Sequence, residues 1–273
     1  MTTKTRIEVS GATDPGCVRA NNEDNLIVDE ELGLYVVADG MGGHNSGEVA
    51  SALATQTIRE FARKLLGGKQ LVAPEASAPG MSLRGRQLQY CVKSANTLIY
   101  EKGRAFPKDA GMGTTVVAVL IDSQSMTVAH VGDSRAYLFR AGQLQPLTED
   151  HSLVGDQVRR GLISTDEAAK SSLQNILTRA LGAESDVQVD ISDHPLLPND
   201  VLLLASDGLT KMLEDSVVGA TIEREDSPRA IVDSLIAQAR AAGGVDNVTV
   251  IAARVGPGGG SSLREVLSRL FGR

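Results

Sequence analysis

The chain has 273 residues, 42% hydrophobic and 22% charged, an ordinary composition for a soluble globular protein with room for one large core or two small ones. A net charge of −7 argues against broad nucleic-acid binding, which needs a basic surface. Two cysteines cannot frame a disulfide scaffold, the polar stretch Met1 to Ser10 is unlike a signal peptide, and no run approaches the ~18 apolar residues of a membrane span, so a cytoplasmic protein without a membrane anchor is expected.

Residues 6–12 and 25–38 read as strands, and Leu34-Tyr35-Val36-Val37-Ala38 has the continuous apolar character of a strand buried on both faces. A glycine-rich turn at Gly40 to Gly43 leads into a helix from Ser46 to Leu66, with Ala50, Leu53, Ile58, Phe61 and Leu65 at roughly helical spacing. Residues 67–86 read as a loop and a second helix follows from about Leu88 to Gly103. Segments 114–121, 125–132 and 134–140 read as strands, with turns at Asp122-Ser123 and Gly132-Asp133. Polar, helix-forming residues at 151–170 precede strands at 186–191 and 200–206, helices at about 208–221 and 227–242, and a strand from Asn247 to Val255. Gly256 to Gly260 reads as a linker to a short amphipathic helix, Ser262 to Phe271, so the expected division is a domain over 1–256 and a tail over 257–273. Strands and helices in adjacent pairs predict antiparallel sheets covered by helices rather than a regular βαβ alternation.

At several places an apolar strand ends in an aspartate beside Gly or Asn: Ala38-Asp39-Gly40, Gly132-Asp133, Ser206-Asp207-Gly208 and Asp246-Asn247. Glu23-Asp24 precedes another strand. Any one Asp-Gly is an ordinary turn dipeptide. Together, carboxylates at strand ends can converge on one rim of a sheet, where mutual repulsion disfavours ionisation unless hard cations such as Mg²⁺ or Mn²⁺ neutralise it. Arg19 has the fork geometry for phosphate beside such a site, or is a surface Arg. Among the histidines, His44 follows the glycine loop and is a candidate proton donor, His130 reads as structural and His151 as a cap or loop contact. Neither cysteine begins a Cys-x5-Arg thiolate motif, and neither a Gly-x-Ser-x-Gly elbow nor a Walker loop is present.

Arg19-x-x-Asn22-Glu23-Asp24, Asp39-Gly40-Met41-Gly42-Gly43, Gly113-Thr114-Thr115, Val131-Gly132-Asp133-Ser134-Arg135, Ser206-Asp207-Gly208 and Asp246-Asn247-Val248-Thr249, in this order over about residues 6–255, resemble the metal-dependent PPM (PP2C-type) protein phosphatases, in the form of their compact bacterial branch. The resemblance implies an α+β fold, a four-layer α-β-β-α sandwich of two antiparallel β-sheets flanked by helices, with a small flap near residues 150–175. It implies hydrolysis of phosphoserine and phosphothreonine in proteins by a metal-activated water, opposite a Ser/Thr kinase, with Mn²⁺ or Mg²⁺ as two core ions and a third. Asp39 would bridge two ions, the Gly40 carbonyl would bind one, and Asp207 and Asp246 the other. Glu23 and Asp24 would orient bound waters, Asp133 would help hold the third ion, and Arg19 would grip phosphate. Phosphoprotein substrates and a monomer, with no nucleic acid and no membrane, complete the expectation. Two departures stand out. Met41 occupies the place where animal members carry the His proposed as general acid, leaving His44 or a bound water for that role, and where many relatives carry His-Pro before Leu-Thr-Arg-Ala-Leu-Gly, Ser171-Ser172-Leu173-Gln174-Asn175 leads into Leu177 to Gly182.

Overall fold

The computed structural model describes residues 6–43, 46–67, 80–122, 125–164, 167, 171 and 173–256. His44 and the expected tail helix at 262–271 lie outside the described residues. In chain order the elements are β1 (Ile7–Asp14), β2 (Asp24–Asp29), β3 (Leu34–Met41), α1 (Ser46–Leu66), α2 (Leu83–Ala105), β4 (Gly113–Thr114), β5 (Val116–Ile121), β6 (Ser125–Val131) and β7 (Arg135–Arg140). They continue with β8 (Gln143–Pro146), α3 (Leu153–Arg159), β9 (Asp190–Pro195), β10 (Val201–Ala205), α4 (Asp207–Thr210), α5 (Asp215–Arg224), α6 (Pro228–Ala241) and β11 (Val248–Val255).

The strands form two sheets, β1-β11-β10-β7-β8 and β2-β3-β5-β6-β9, with β4 joined to β3, and every pairing is antiparallel. The period-2 alternation of a strand explains the layering. Tyr35 and Val37 of β3, Leu202 and Leu204 of β10, and Ile251 and Ala253 of β11 fill the space between the sheets. Val36 and Ala38 point the other way onto α1 and α2, while Leu203, Ala205, Val250 and Ala252 point onto α5 and α6. Both faces of these strands are therefore apolar, and each fully buried Val, Leu or Ile contributes roughly 1.5–3 kcal/mol. On α1, Ala50, Ala54, Ile58 and Ala62 recur every fourth residue and are buried, so a strip of mostly small side chains lets the helix lie close on its sheet.

Several expectations are corrected. The single strand at 25–38 is a hairpin, turned at Gly33, whose φ of 66° suits glycine. The second helix starts earlier, because the Ser82 side chain accepts from the Gly85 amide at 2.9 Å and caps it. Gly132-Asp133 is not a hairpin turn: β6 pairs with β5 and β9 in one sheet, and β7 pairs with β10 and β8 in the other. The chain crosses between the sheets there. The helix at 208–221 is two helices, α4 and α5, and the strand at 186–191 begins only at Asp190.

Candidate metal centre

The crossover and the hairpin bring the acidic residues to one end of the sandwich. In the register of β2 and β3, Asp24 stands opposite Asp39. Asp133 lies where β6 leaves its sheet, Asp207 directly follows β10, and Asp246 shortly precedes β11. These strand ends border a cleft of about 890 Å³ lined by Arg19, Glu23, Asp39, Gly40, Asp133, Asp207 and Asp246. Asp24 lies beneath this floor, buried, and acts on the cleft through its charge.

The backbone around each acid is fixed by hydrogen bonds. The Asp39 amide donates to Thr115 Oγ1 at 3.0 Å, its carbonyl accepts from the Thr115 amide and from Thr114 Oγ1, and Thr115 Oγ1 pairs with Ser134 Oγ at 2.7 Å. Asp24 Oδ2 accepts from Ser206 Oγ at 2.7 Å and Thr249 Oγ1 at 2.6 Å. The Glu23 carbonyl accepts from the Gly40 amide and from Ser51 Oγ, which ties β2, β3 and α1 together. A Cβ on Gly40 would lie 2.1 Å from the Gly47 carbonyl oxygen, and one on Gly208 would lie 1.9 Å from that of Asn247, so neither position has room for a side chain.

Asn247, and His151 in the loop contact its sequence position suggested, hold the remaining loops. Asn247 Oδ1 accepts from the Glu23 amide while its Nδ2 donates to the carbonyls of Pro15 and Asn21, clamping the loop that carries Arg19. His151 is fully buried; its amide donates to the Gly132 carbonyl at 2.7 Å and its Nδ1 accepts from the Gly132 amide at 3.1 Å. Its Nε2 therefore carries the proton and faces Asp190 Oδ2 at 3.1 Å. Asp190 also accepts from Arg179, on the cleft wall, and Asp150 is gripped by both arms of Arg135 at 2.8 Å. The base of the flap is thus tied to the turn that presents Asp133. Which backbone the Asn247 and His151 side chains meet is decided by residues distant in sequence, and nothing local signals it.

The electrostatics are those of crowded acids. Burial, then the charges of Asp24, Asp207 and Asp133, push Asp39 well above the carboxylate range. Burial also raises Asp24 and Asp133, each to about 7, with Asp207 adding to both. Glu23 is raised, again mainly by burial. Two internal cations partly balance this charge: Arg19 pairs with Asp246 at 2.9 Å, and Lys211 pairs with Asp207. Burial lowers the Lys211 pKa, but the charges of Asp207, Asp133 and Asp246 outweigh it and the ammonium is held more firmly than usual.

The donor set fits divalent cations. Asp24 Oδ1 and Asp207 Oδ1 are buried without a hydrogen-bond partner, an arrangement costly for a carboxylate unless a cation answers it. Among the described residues, no closed cage of acidic, His or Cys side chains converges on one point, since Asp246 turns to Arg19 and Asp207 to Lys211. A hydrated ion such as Mg²⁺ needs no such cage, because it keeps several waters and takes one or two carboxylates.

The comparisons with known proteins agree with this geometry. Residues 19–243 match the family model described as protein phosphatase 2C. The chain belongs to the protein phosphatase 2C family. It is similar to the serine/threonine phosphatase stp of Listeria monocytogenes, 37% identical over 88% of this chain and 92% of that one. The fold matches the catalytic domain of the serine/threonine protein phosphatase PstP in complex with 2 manganese ions, with a TM-score of 0.78, 32% identity and coverage of 92% of this chain and 98% of that one. Stp1 from Staphylococcus aureus matches with a TM-score of 0.81 at 32% identity, over 93% of this chain and 97% of that one. The phosphatase is a metal-dependent serine/threonine protein phosphatase, with the expected two antiparallel sheets flanked by helices.

Proposed function

We propose that the phosphatase works on phosphoserine and phosphothreonine placed by a Ser/Thr kinase on bacterial cytoplasmic proteins, and that it does so as a monomer over residues 1–256, with 257–273 as an appended linker and helix. No described helix is long and apolar enough to cross a membrane. Two ions, Mn²⁺ or Mg²⁺, would be held by Asp39 between them, by the Gly40 carbonyl, and by Asp207 and Asp246, with Glu23 and Asp24 ordering bound waters. Bound there, such ions would acidify a water and neutralise phosphate charge. The observation that best supports this site is the pair of orphaned buried oxygens, one on Asp207 in the lining of the cleft beside Asp39 and one on Asp24 behind it.

The chain's own groups do the rest. Arg19 is half-exposed at the cleft edge and pairs with Asp246, so its guanidinium is placed to take an arriving phosphate dianion by a bidentate bond, and Asp246 would then be free to help hold an ion. Asp39, fixed on both backbone atoms, keeps its carboxylate in place as charge moves. A serine or threonine alkoxide is a poor leaving group and needs a proton; His44 or a bound water is assigned that role, Met41 having no proton to give. The third ion expected beside Asp133 has a competitor in Lys211.

Hydrolysis of p-nitrophenyl phosphate and of a phosphothreonine peptide, with Mn²⁺, Mg²⁺ or EDTA, tests the reading. Turnover that needs the metal is expected. A protein that binds phosphopeptide or nucleotide but turns over neither substrate with either metal is instead a binding module.

A further inference from the structure

We infer that Lys211 is a built-in cation that takes the place of a third metal ion between Asp207 and Asp133. The inference rests on the two-ion reading of the site. α4 starts at Asp207, and the Lys211 amide donates to the Asp207 carbonyl at 2.8 Å, one helical turn on. Side chains four apart on a helix stack on the same face, so the turn itself delivers the Lys211 ammonium to Asp207, where it pairs with Oδ2. The Lys211 side chain is largely covered, lines the cleft, and acts on Asp133 as an opposing positive charge. Asp207 therefore divides its two oxygens: Oδ2 is taken by Lys211, and Oδ1, buried and without a partner, is left for a core ion.

A divalent cation bridging Asp207 and Asp133 would meet the Lys211 ammonium already seated on Asp207 Oδ2 and would have to displace it. Like charges close together repel strongly in a partly buried site. The ammonium then supplies part of the positive charge that a third ion would bring to Asp207 and Asp133, and the enzyme carries two ions where its acids alone would hold three. Asp133 keeps a purpose, as the second acid that holds the ammonium over the cleft.

The test counts ions. Equilibrium dialysis against Mn²⁺, read by elemental analysis, is expected to give two ions for the wild type and for Lys211→Arg, which keeps the charge. Lys211→Met should bind a third, with affinity for it at least about 10-fold above any in the wild type, given the loss of a nearby like charge. Adding Asp133→Ala to Lys211→Met should return the count to two. Thermal melts establish that each variant is folded, and the wild-type and Lys211→Arg counts stand if Lys211→Met is not. A wild type that takes up three ions, or a folded Lys211→Met that stays at two, overturns the inference. A wild type that binds none overturns the two-ion reading itself.

Discussion

At the residue scale, Asp39 and Arg19 have separable tasks. Asp39→Asn keeps the size of the side chain and the amide and carbonyl bonds to Thr114 and Thr115, so the fold should persist. It removes the charge that, on the proposed reading, two ions would share, and kcat should fall at least ~100-fold, since a catalytic metal supplies several kcal/mol of transition-state stabilisation. Folded protein with near wild-type turnover would take Asp39 out of the centre. Arg19 is at the rim, and its loop is held by Asn247 rather than by its own side chain. Arg19→Ala should leave metal uptake unchanged and lower kcat/KM for phosphopeptides by roughly 10- to 100-fold, the loss of one charged contact of about 1.5–3 kcal/mol. An unaltered kcat/KM would return Arg19 to a role in the loop.

At the scale of elements, what matters is how strand ends are locked to one another. Gly208 starts α4 against the Asn247 carbonyl, and Gly208→Ala would force the start of α4 and the start of β11 apart. Overpacking of this kind costs about 1–3 kcal/mol. The melting temperature should drop by several degrees and metal affinity with it; an unchanged melt would mean the contact relaxes freely. His151 holds the flap base to Gly132 through its own amide and through Nδ1; His151→Ala keeps the first bond but loses the second and the Nε2 contact with Asp190, so turnover should fall while a two-ion Mn²⁺ count persists, and a lost core ion would show that it supports more than Asp133. Much of this rim was legible in the sequence: the aspartates are placed by apolar strands that end in Gly or Asn, and α1 runs from Ser46 to Leu66 as its periodicity predicts. The passage of β6 to β7 was not, because strands apolar on both faces carry no mark of which sheet they join. Nor was β8, a short polar edge strand; Lys211 stands four residues after Asp207, a spacing open to reading, but its bearing on Asp133 depends on how the strand ends come together.

For the molecule as a whole, the crowded acids set how stability depends on pH and metal. Asp24 and Asp133 are raised from 3.8 to about 7 in the fold, so the folded state binds protons that the unfolded chain has released. Their contribution to stability is full below the unfolded value and is lost as pH rises through about 7. His130, lowered from 6.5 to about 3, and His151 and His194, lowered as well, act oppositely while the unfolded imidazoles release their protons around pH 6.5, an effect that fades by about pH 7.5. Asp39, raised well above the carboxylate range, adds to the side of Asp24 and Asp133, and the carboxylates outweigh the imidazoles over this interval. Metal-free protein should therefore melt lower at about pH 7.5 than at about pH 6.5. Saturating Mn²⁺, which replaces those protons, should remove or reverse the difference. Calorimetry in both conditions checks this, and a metal-free melt that rises over the interval would contradict the placing of these acids. The sheet order carries a different consequence. β1 pairs along its length with β11, from Ile7 opposite Val255 to Asp14 opposite Val248, and Arg19 meets Asp246 across the same boundary. A ribosome making this chain from its first residue has Arg19 and Asp39 outside long before Asp246 exists. If Asp246 is a metal ligand as proposed, nascent chains carry no working site until synthesis has passed Asp246 and β1 has paired with β11.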